Sequence, residues 1–300
     1  TFAIPDHPWV DEKDGAAVRI AMTVGANEIT IGRVHKVVDE TCKPDTITFQ
    51  LEEGYIGSSL KIGASVSSAK PLKSNLGLAF QGFKLHGKGF ILAEDQAKSL
   101  LVQFPGNRDV VKPYRNGTDI TGRPKNAFVI DLYGLNEEEI RIRYPGPYQH
   151  VLNYVKPERD LNRRDTRRLN WWLFGETVPA LRFATYSLDR FIVTVRTAKH
   201  RTFVFLDKDI LPERRLVPIA HSDASILGVL TSHFHINWSL GTGAMLEDRP
   251  NYNNSEAFDP FPFPADVPEP LKDRIRTEAE ALDALRKRVL AAYEDLTLTK

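Results

Sequence analysis

Residues 156–206, KPERDLNRRDTRRLNWWLFGETVPALRFATYSLDRFIVTVRTAKHRTFVFL, crowd Arg159, Arg163, Arg164, Arg167, Arg168, Arg182, Arg190, Arg196, Lys199 and Arg201 around a Trp171-Trp172 pair. The stretch changes character half-way. Its first part is charged, with the periodicity of a helix face, whereas residues 190–195 (RFIVTV) and 202–206 (TFVFL) are β-branched and aromatic and read as strands. Helical and strand-like segments side by side point to an α+β fold of mixed, mainly antiparallel strands with flanking helices. Basic side chains interleaved with aromatic ones suit a polyanion such as nucleic acid, whose backbone takes charge and whose bases offer flat faces. The competing reading makes the arginines a solvated face answered by Glu158, Asp160, Asp165, Glu176 and Asp189, with both tryptophans in the core.

The whole-chain numbers narrow this. Three hundred residues, 42% hydrophobic and 26% charged, are enough for one large core or two ordinary ones. The formal charge is only +1, so affinity for a polyanion has to come from uneven placement of charge. The one cysteine, Cys42, excludes an internal disulfide and fits a reducing compartment. No run approaches the ~20 apolar residues of a membrane span, and the N-terminus lacks a signal-peptide layout. The expected setting is cytoplasmic, with no membrane partner.

Outward from the basic stretch, most segments declare themselves locally. Residues 16–24 (AAVRIAMTV) are almost continuously apolar and predict a strand covered on both faces; 28–38 predict a second strand. Gly77, Gly82, Gly87 and Gly89 mark bulges, turns or close approach of another backbone, and Lys88, followed by Gly89 and Phe90, rules out a phosphate loop. Residues 93–103 predict a helix stopped by Pro105-Gly106, Asn116-Gly117 a turn, and 127–132 a buried strand ending near Asp131. Asn136 ahead of three glutamates predicts a helix N-cap, with a second helix over 148–155.

Residues 225–240 have a helical apolar period, which places His233 and His235 on opposite sides of a helix and argues against a shared metal ion. His35, His150 and His221 are isolated, so no metal site is expected. Residues 258–264 (FDPFPFP) form a proline-aromatic strap, and 271–293 an amphipathic helix that suits either this protein's own body or a partner helix. The candidate phosphate contacts are Arg163, Arg164, Arg167 and Arg168 on the basic run, with Arg196, Lys199, His200 and Arg201 at the connection between the two strands.

Several of these stretches together resemble one family. FAIPDHPWVDEKDGAAVRIAMTVG, GFKLHGKGFIL, VVKPYRNGTDITGRP with FVIDLYG, YVKPERDLNRRDTRRLNWWLFG, TAKHRTFVFL, and LEDRPNY with FPFP are similar, in this order, to the MmeI-type (Type IIL) restriction-modification enzymes, a branch of the adenine-N6 DNA methyltransferases. The resemblance implies that residues 1–45 are the tail of a methyltransferase domain that uses S-adenosylmethionine. It makes 46–265 a target recognition domain and 266–300 the start of a helical region, in a piece of a longer protein. Double-stranded DNA and the catalytic part of the same protein are the implied partners.

Neither the glycine-rich cofactor loop nor the Asn/Asp-Pro-Pro-aromatic motif of adenine-N6 transfer occurs here; Asp259-Pro260-Phe261 lacks the second proline. The expectation is therefore a chain that reads DNA sequence and binds no cofactor itself, within an adenine-specific methyltransferase that in DNA-cutting relatives carries an endonuclease. The resemblance makes Glu247 and Arg249 the base-reading pair. A carboxylate accepts from cytosine N4 and a guanidinium donates twice to guanine, so the two suit one C·G pair. Two other classes compete: a separate non-enzymatic DNA specificity subunit, and an RNA-binding module stacking bases on Trp171 or Trp172.

Overall fold

The short strand-forming runs at the N-terminus pair with one another, ahead of the first helix in chain order. The structure, a computed structural model, describes residues 1–9, 18–28, 30–39, 47–57, 60–62, 66, 69–242, 245–246 and 249–299. It divides into two units, Thr1–Lys70 and Pro71–Lys300. In the first, β1 (Phe2–Trp9), β2 (Val18–Val24), β3 (Gly32–Asp39) and β4 (Thr48–Gly54) form one sheet in the order β2-β1-β3-β4. β1 runs parallel to β3, and the other two pairings are antiparallel. Ala3, Ile4 and Val34 are its buried centre.

One expectation changes here. β2 is an edge strand: Ile20 and Met22 are half-buried while Arg19, Ala21 and Thr23 are exposed, so it is not covered on both faces. An apolar run with small residues at alternate positions looks the same in either setting. The expected boundary near residue 45 falls between paired strands. β3 and β4 are in register at Arg33↔Glu53 and Lys36↔Gln50, laced by Arg33–Glu53 (2.8 Å) and Lys36–Glu52 (2.5 Å), and the first unit continues to Lys70.

The second unit opens with β5 (Ile91–Leu92), α1 (Glu94–Gln103), β6 (Val111–Arg115), α2 (Gly117–Thr121) and β7 (Phe128–Ile130). Asn116 does more than turn the chain. Its Oδ1 accepts from the Thr118 and Asp119 amides at 2.8 and 3.2 Å, and Asp119 Oδ2 accepts from the Asn116 amide at 2.8 Å, a reciprocal cap that starts α2. α3 (Glu137–Arg143) begins as expected, with Asn136 Oδ1 accepting from the Glu139 amide at 2.9 Å. α4 (Pro145–Tyr154) starts three residues before the expected point because Pro145 and Pro147 preset helical φ in its first turn. Then come α5 (Lys156–Asp160), α6 (Asp165–Leu169) and α7 (Pro179–Thr185).

The remaining strands are β8 (Arg190–Val195), β9 (Phe203–Asp207), β10 (Leu211–Pro212) and β11 (Leu216–Ile219), followed by α8 (Ala224–Thr231), α9 (His233–Thr242), β12 (Met245–Leu246), β13 (Arg249–Pro250) and α10 (Glu269–Ala292). They complete two more sheets, β10-β6-β7-β5 and β11-β8-β9, and a β12-β13 hairpin; all pairings except β10–β6 are antiparallel. The fold is α+β, as the mixture of patterns predicts. Around the first sheet pack Phe90, Leu92, Val111, Ile130, Val151, Trp171 and Phe174; under the second pack Ile192, Phe203, Ile219, Leu227, Leu230, Tyr252 and Phe258.

The helix expected over 225–240 is two helices. Ser232, in extended conformation, donates its hydroxyl to the Val229 carbonyl at 2.6 Å and breaks the ladder between α8 and α9. His235 is buried while His233 is exposed, so the two imidazoles face different surroundings. α10 docks on its own unit: Arg276 holds Asp223 at 2.9 Å, Glu280 pairs with Arg190, and Gly228 lets α8 approach Ile275, where a Cβ would lie 2.6 Å from Ile275 Cγ2. α10 thus packs within the unit Pro71–Lys300. Among the described residues, no helix is long and apolar enough to cross a membrane.

A candidate nucleic-acid interface

The antiparallel register Thr194↔Phe203 raises the connection between β8 and β9 as a loop, and β13 lies against its base. The Tyr252 amide donates to the Arg196 carbonyl at 2.6 Å, the Ala198 amide to the Pro250 carbonyl at 3.4 Å, and the Thr197 hydroxyl to Asn251 Oδ1 at 3.4 Å. The Arg196 amide is taken up by the Arg215 carbonyl at 2.7 Å. Lys199 and His200 stay exposed at the tip, and Arg249 is exposed on β13. Arg196, Lys199 and His200 therefore share one edge of the second unit with Arg249, about fifty residues further along the chain. Glu247 lies outside the described residues.

Arg201 is turned inward, contrary to its expected place on a phosphate. Its Nη1 donates to the Val195 carbonyl and to Thr194 Oγ1 (3.2 Å), its Nη2 donates to the Pro250 carbonyl (3.0 Å), and its guanidinium lies over the Tyr252 ring. Burial pushes its pKa down to about 10, which still leaves it charged at neutral pH. The two-residue period of β9 puts Arg201 on the face of Phe203 and Phe205, the signal that could have found this. Beneath it, fully buried Tyr252 bonds His235 Nε2 at 2.9 Å through its hydroxyl, and desolvation lowers the His235 pKa to about 3, so that imidazole is neutral.

The other four candidate arginines surround α6. Arg163, Arg164 and Arg168 are exposed, with Arg168 on Asp165 at 2.7 Å. Arg167 is half-buried and its Nη2 lies 3.1 Å from His86 Nε2. Burial, then the charges of Arg167 and Lys84, hold the His86 pKa below its ordinary value, which suits a neutral ring accepting from Arg167. Lys84 reaches Glu176 at 2.5 Å, and that bond lowers the Glu176 pKa. Neither His86 nor Lys84 stood out in sequence.

Three further members of the basic stretch are structural. Arg159 is buried and donates to the Leu85 and Leu173 carbonyls at 3.0 and 3.1 Å; Arg182 is bidentate on Asp131; Arg190 pairs with Glu280 over the Phe205 ring. Trp171 is buried and Trp172 donates Nε1–H to the Leu135 carbonyl at 3.0 Å, which removes them as free stacking platforms for RNA. Asp259, in the strap, is buried, and burial raises its pKa.

No family model and no curated protein matches the sequence. Among solved structures, the Type IIL restriction-modification enzyme MmeI in complex with DNA superposes with a TM-score of 0.71 at 17% identity, over 99% of this chain and 39% of that one. The type IIG restriction endonuclease BpuSI gives a TM-score of 0.39 at 12% identity over 93% of this chain and 38% of that one, and carries no argument. The chain therefore has the fold of part of MmeI and spans well under half of that protein's length.

Proposed function

We propose that this chain is the sequence-reading part of a site-specific adenine-N6 DNA methyltransferase of the restriction-modification kind. The observation that carries the reading is the docking of the loop bearing Arg196, Lys199 and His200 on the strand bearing Arg249. One edge thus offers cations suited to phosphates beside a guanidinium, the group that can donate twice to guanine. Arg163, Arg164 and Arg168 add exposed charge on a second element, and the likeness of fold to MmeI, solved with DNA, agrees with the reading. Methyl transfer and its cofactor belong, on this reading, to the rest of the enzyme.

The test is selection of duplexes from random pools by the purified chain across a salt series. The expected result is an enriched motif and an affinity that falls with a log–log slope of about −0.9 per phosphate neutralised. Shallow salt dependence with no enriched sequence overturns the reading. Methylation of the enriched motif by the full-length protein separates the single-chain enzyme from a specificity subunit that serves another catalytic chain.

A further inference from the structure

The loop and β13 meet through few bonds, and Arg201 supplies the most specific of them. Among the described residues its contacts include no carboxylate: the guanidinium is answered by the Val195 and Pro250 carbonyls, the Thr194 hydroxyl and the Tyr252 ring. A buried cation without a counter-ion is costly, and the β8–β9 ladder already closes this hairpin with five residue pairs. What the ladder cannot do is tie the hairpin to β13. A planar fork with donors at fixed angles can hold acceptors on two strands at once, which an ammonium on a flexible stem cannot.

The acceptor on β13 is the Pro250 carbonyl. Pro250 follows Arg249 directly, and its ring fixes φ, so a clamp on that carbonyl is passed to the Arg249 backbone through a stiff residue. Tyr252 anchors the clamp from below. Its amide holds the Arg196 carbonyl, its ring lies under the guanidinium, and its hydroxyl bonds His235 in α9. Base reading tolerates displacements of only about 0.5 Å in the reading group, so such a clamp has something to protect.

We propose that Arg201 is a positioning residue for base reading: by bridging the end of β8 to the Pro250 carbonyl, it sets Arg249 at one height relative to the phosphate-contacting loop. The inference rests on the DNA-recognition reading above and assigns Arg201 no contact with DNA.

The test uses Arg201→Lys in the same chain, with affinity for the enriched duplex and for random duplex measured across salt. Arg201→Lys keeps the charge and loses the fork. Preference for the enriched duplex is expected to fall about tenfold, the loss confined to the base pair whose identity Arg249→Ala also erases, with the salt slope unchanged. Thr194→Val, which removes one acceptor and leaves the guanidinium in place, should give a smaller loss at the same base pair, and decides the matter if Arg201→Lys melts before it can be assayed. Arg201→Gln, which removes the charge, should also leave the slope unchanged; a slope shallower by about 0.9 for that variant would make Arg201 a phosphate contact and overturn the proposal. Equal losses on both duplexes, or an unchanged preference, overturn it too. Failure of the wild-type chain to enrich any sequence is a different result, because it removes the recognition reading before a variant is made.

Discussion

Asn75 Nδ2 donates to the Phe261 carbonyl at 2.8 Å, across 186 residues of chain, and lies 3.1 and 3.3 Å from the Asp259 and Phe258 carbonyls. Asn75 is itself buried, and its amide is the side chain that ties these strap carbonyls to residues 71–75, beside the Leu72 amide, which donates to the Asp259 carbonyl at 2.9 Å. Asn75→Ala leaves those carbonyls without the donor and is expected to destabilise the second unit by about 2 kcal/mol. Asn75→Asp keeps the shape but turns the donor into an acceptor facing three carbonyls, and is expected to lower the urea midpoint further. Equal midpoints for the two variants would show that shape, not the donated bonds, holds the strap.

Two Arg–Asp pairs should respond very differently to loss of the carboxylate. Asp131, with its side chain 10% exposed, takes both Arg182 donors at 2.7 and 2.9 Å while that guanidinium lies over the Phe83 and Tyr133 rings. Asp165 is 71% exposed and meets Arg168 one helical turn away. Asp131→Ala is expected to destabilise the protein by about 3 kcal/mol through the unpaired guanidinium it leaves. Asp165→Ala should change stability by less than about 0.5 kcal/mol, because exposed pairs contribute little. The same change releases Arg168 and is expected to tighten random-duplex binding at low salt. Isothermal denaturation and a salt titration check both halves.

His235 makes stability depend on pH. Unfolded histidine titrates near ~6.5, whereas burial holds His235 at about 3 in the fold. Between those values the unfolded chain binds a proton that the folded chain refuses, so its contribution is intact above pH ~6.5 and is lost on acidification by about 1.4 kcal/mol per pH unit. Burial also pushes His86, His150 and His221 down, which steepens the fall in the wild type. His235→Asn removes one titrating group and is expected to flatten the dependence of the urea midpoint between pH 7 and 5. An unchanged slope would mean that His235 is protonated in the fold.

What could be read from sequence was local. Asn136 caps α3 because the donor it accepts from, the Glu139 amide, is three residues away and both partners are visible together. Gly89 was legible in kind, since glycine there signals a close backbone, but not its partner: a Cβ on Gly89 would strike the Tyr154 carbonyl. The basic stretch mixed two populations that composition cannot separate. Arg159, Arg182, Arg190 and Arg201 meet carbonyls, carboxylates and rings from distant segments, whereas Arg163, Arg164, Lys199 and His200 face solvent. The choice between a solvated face and a polyanion site had no place for arginines that hold the fold itself. The edge position of β2 was hidden for a similar reason, because its own residues do not say how many neighbours it has.

The most discriminating experiment concerns Glu247 and Arg249. On the proposed reading the carboxylate accepts from cytosine N4 while the guanidinium donates to guanine O6 and N7 of the same pair, each contact worth roughly 1 to 3 kcal/mol of discrimination. Arg249 is paired in register with Leu246 and sits beside the loop of Arg196, Lys199 and His200, so its side chain starts from a backbone position tied to the rest of the edge. Glu247→Lys with Arg249→Asp reverses donor and acceptor while leaving net charge unchanged, +2 from the first change and −2 from the second. Charge-driven binding should therefore keep its salt slope, because the number of phosphates neutralised is the same. The sequence enriched by the chain should, on that reading, change at one base pair, with the remaining positions kept. If the enriched sequence is the same before and after the swap, the pair does not read bases and Arg249 joins the structural arginines. If the slope falls with the sequence unaltered, Arg249 is a phosphate contact, and base reading must be sought elsewhere on this edge.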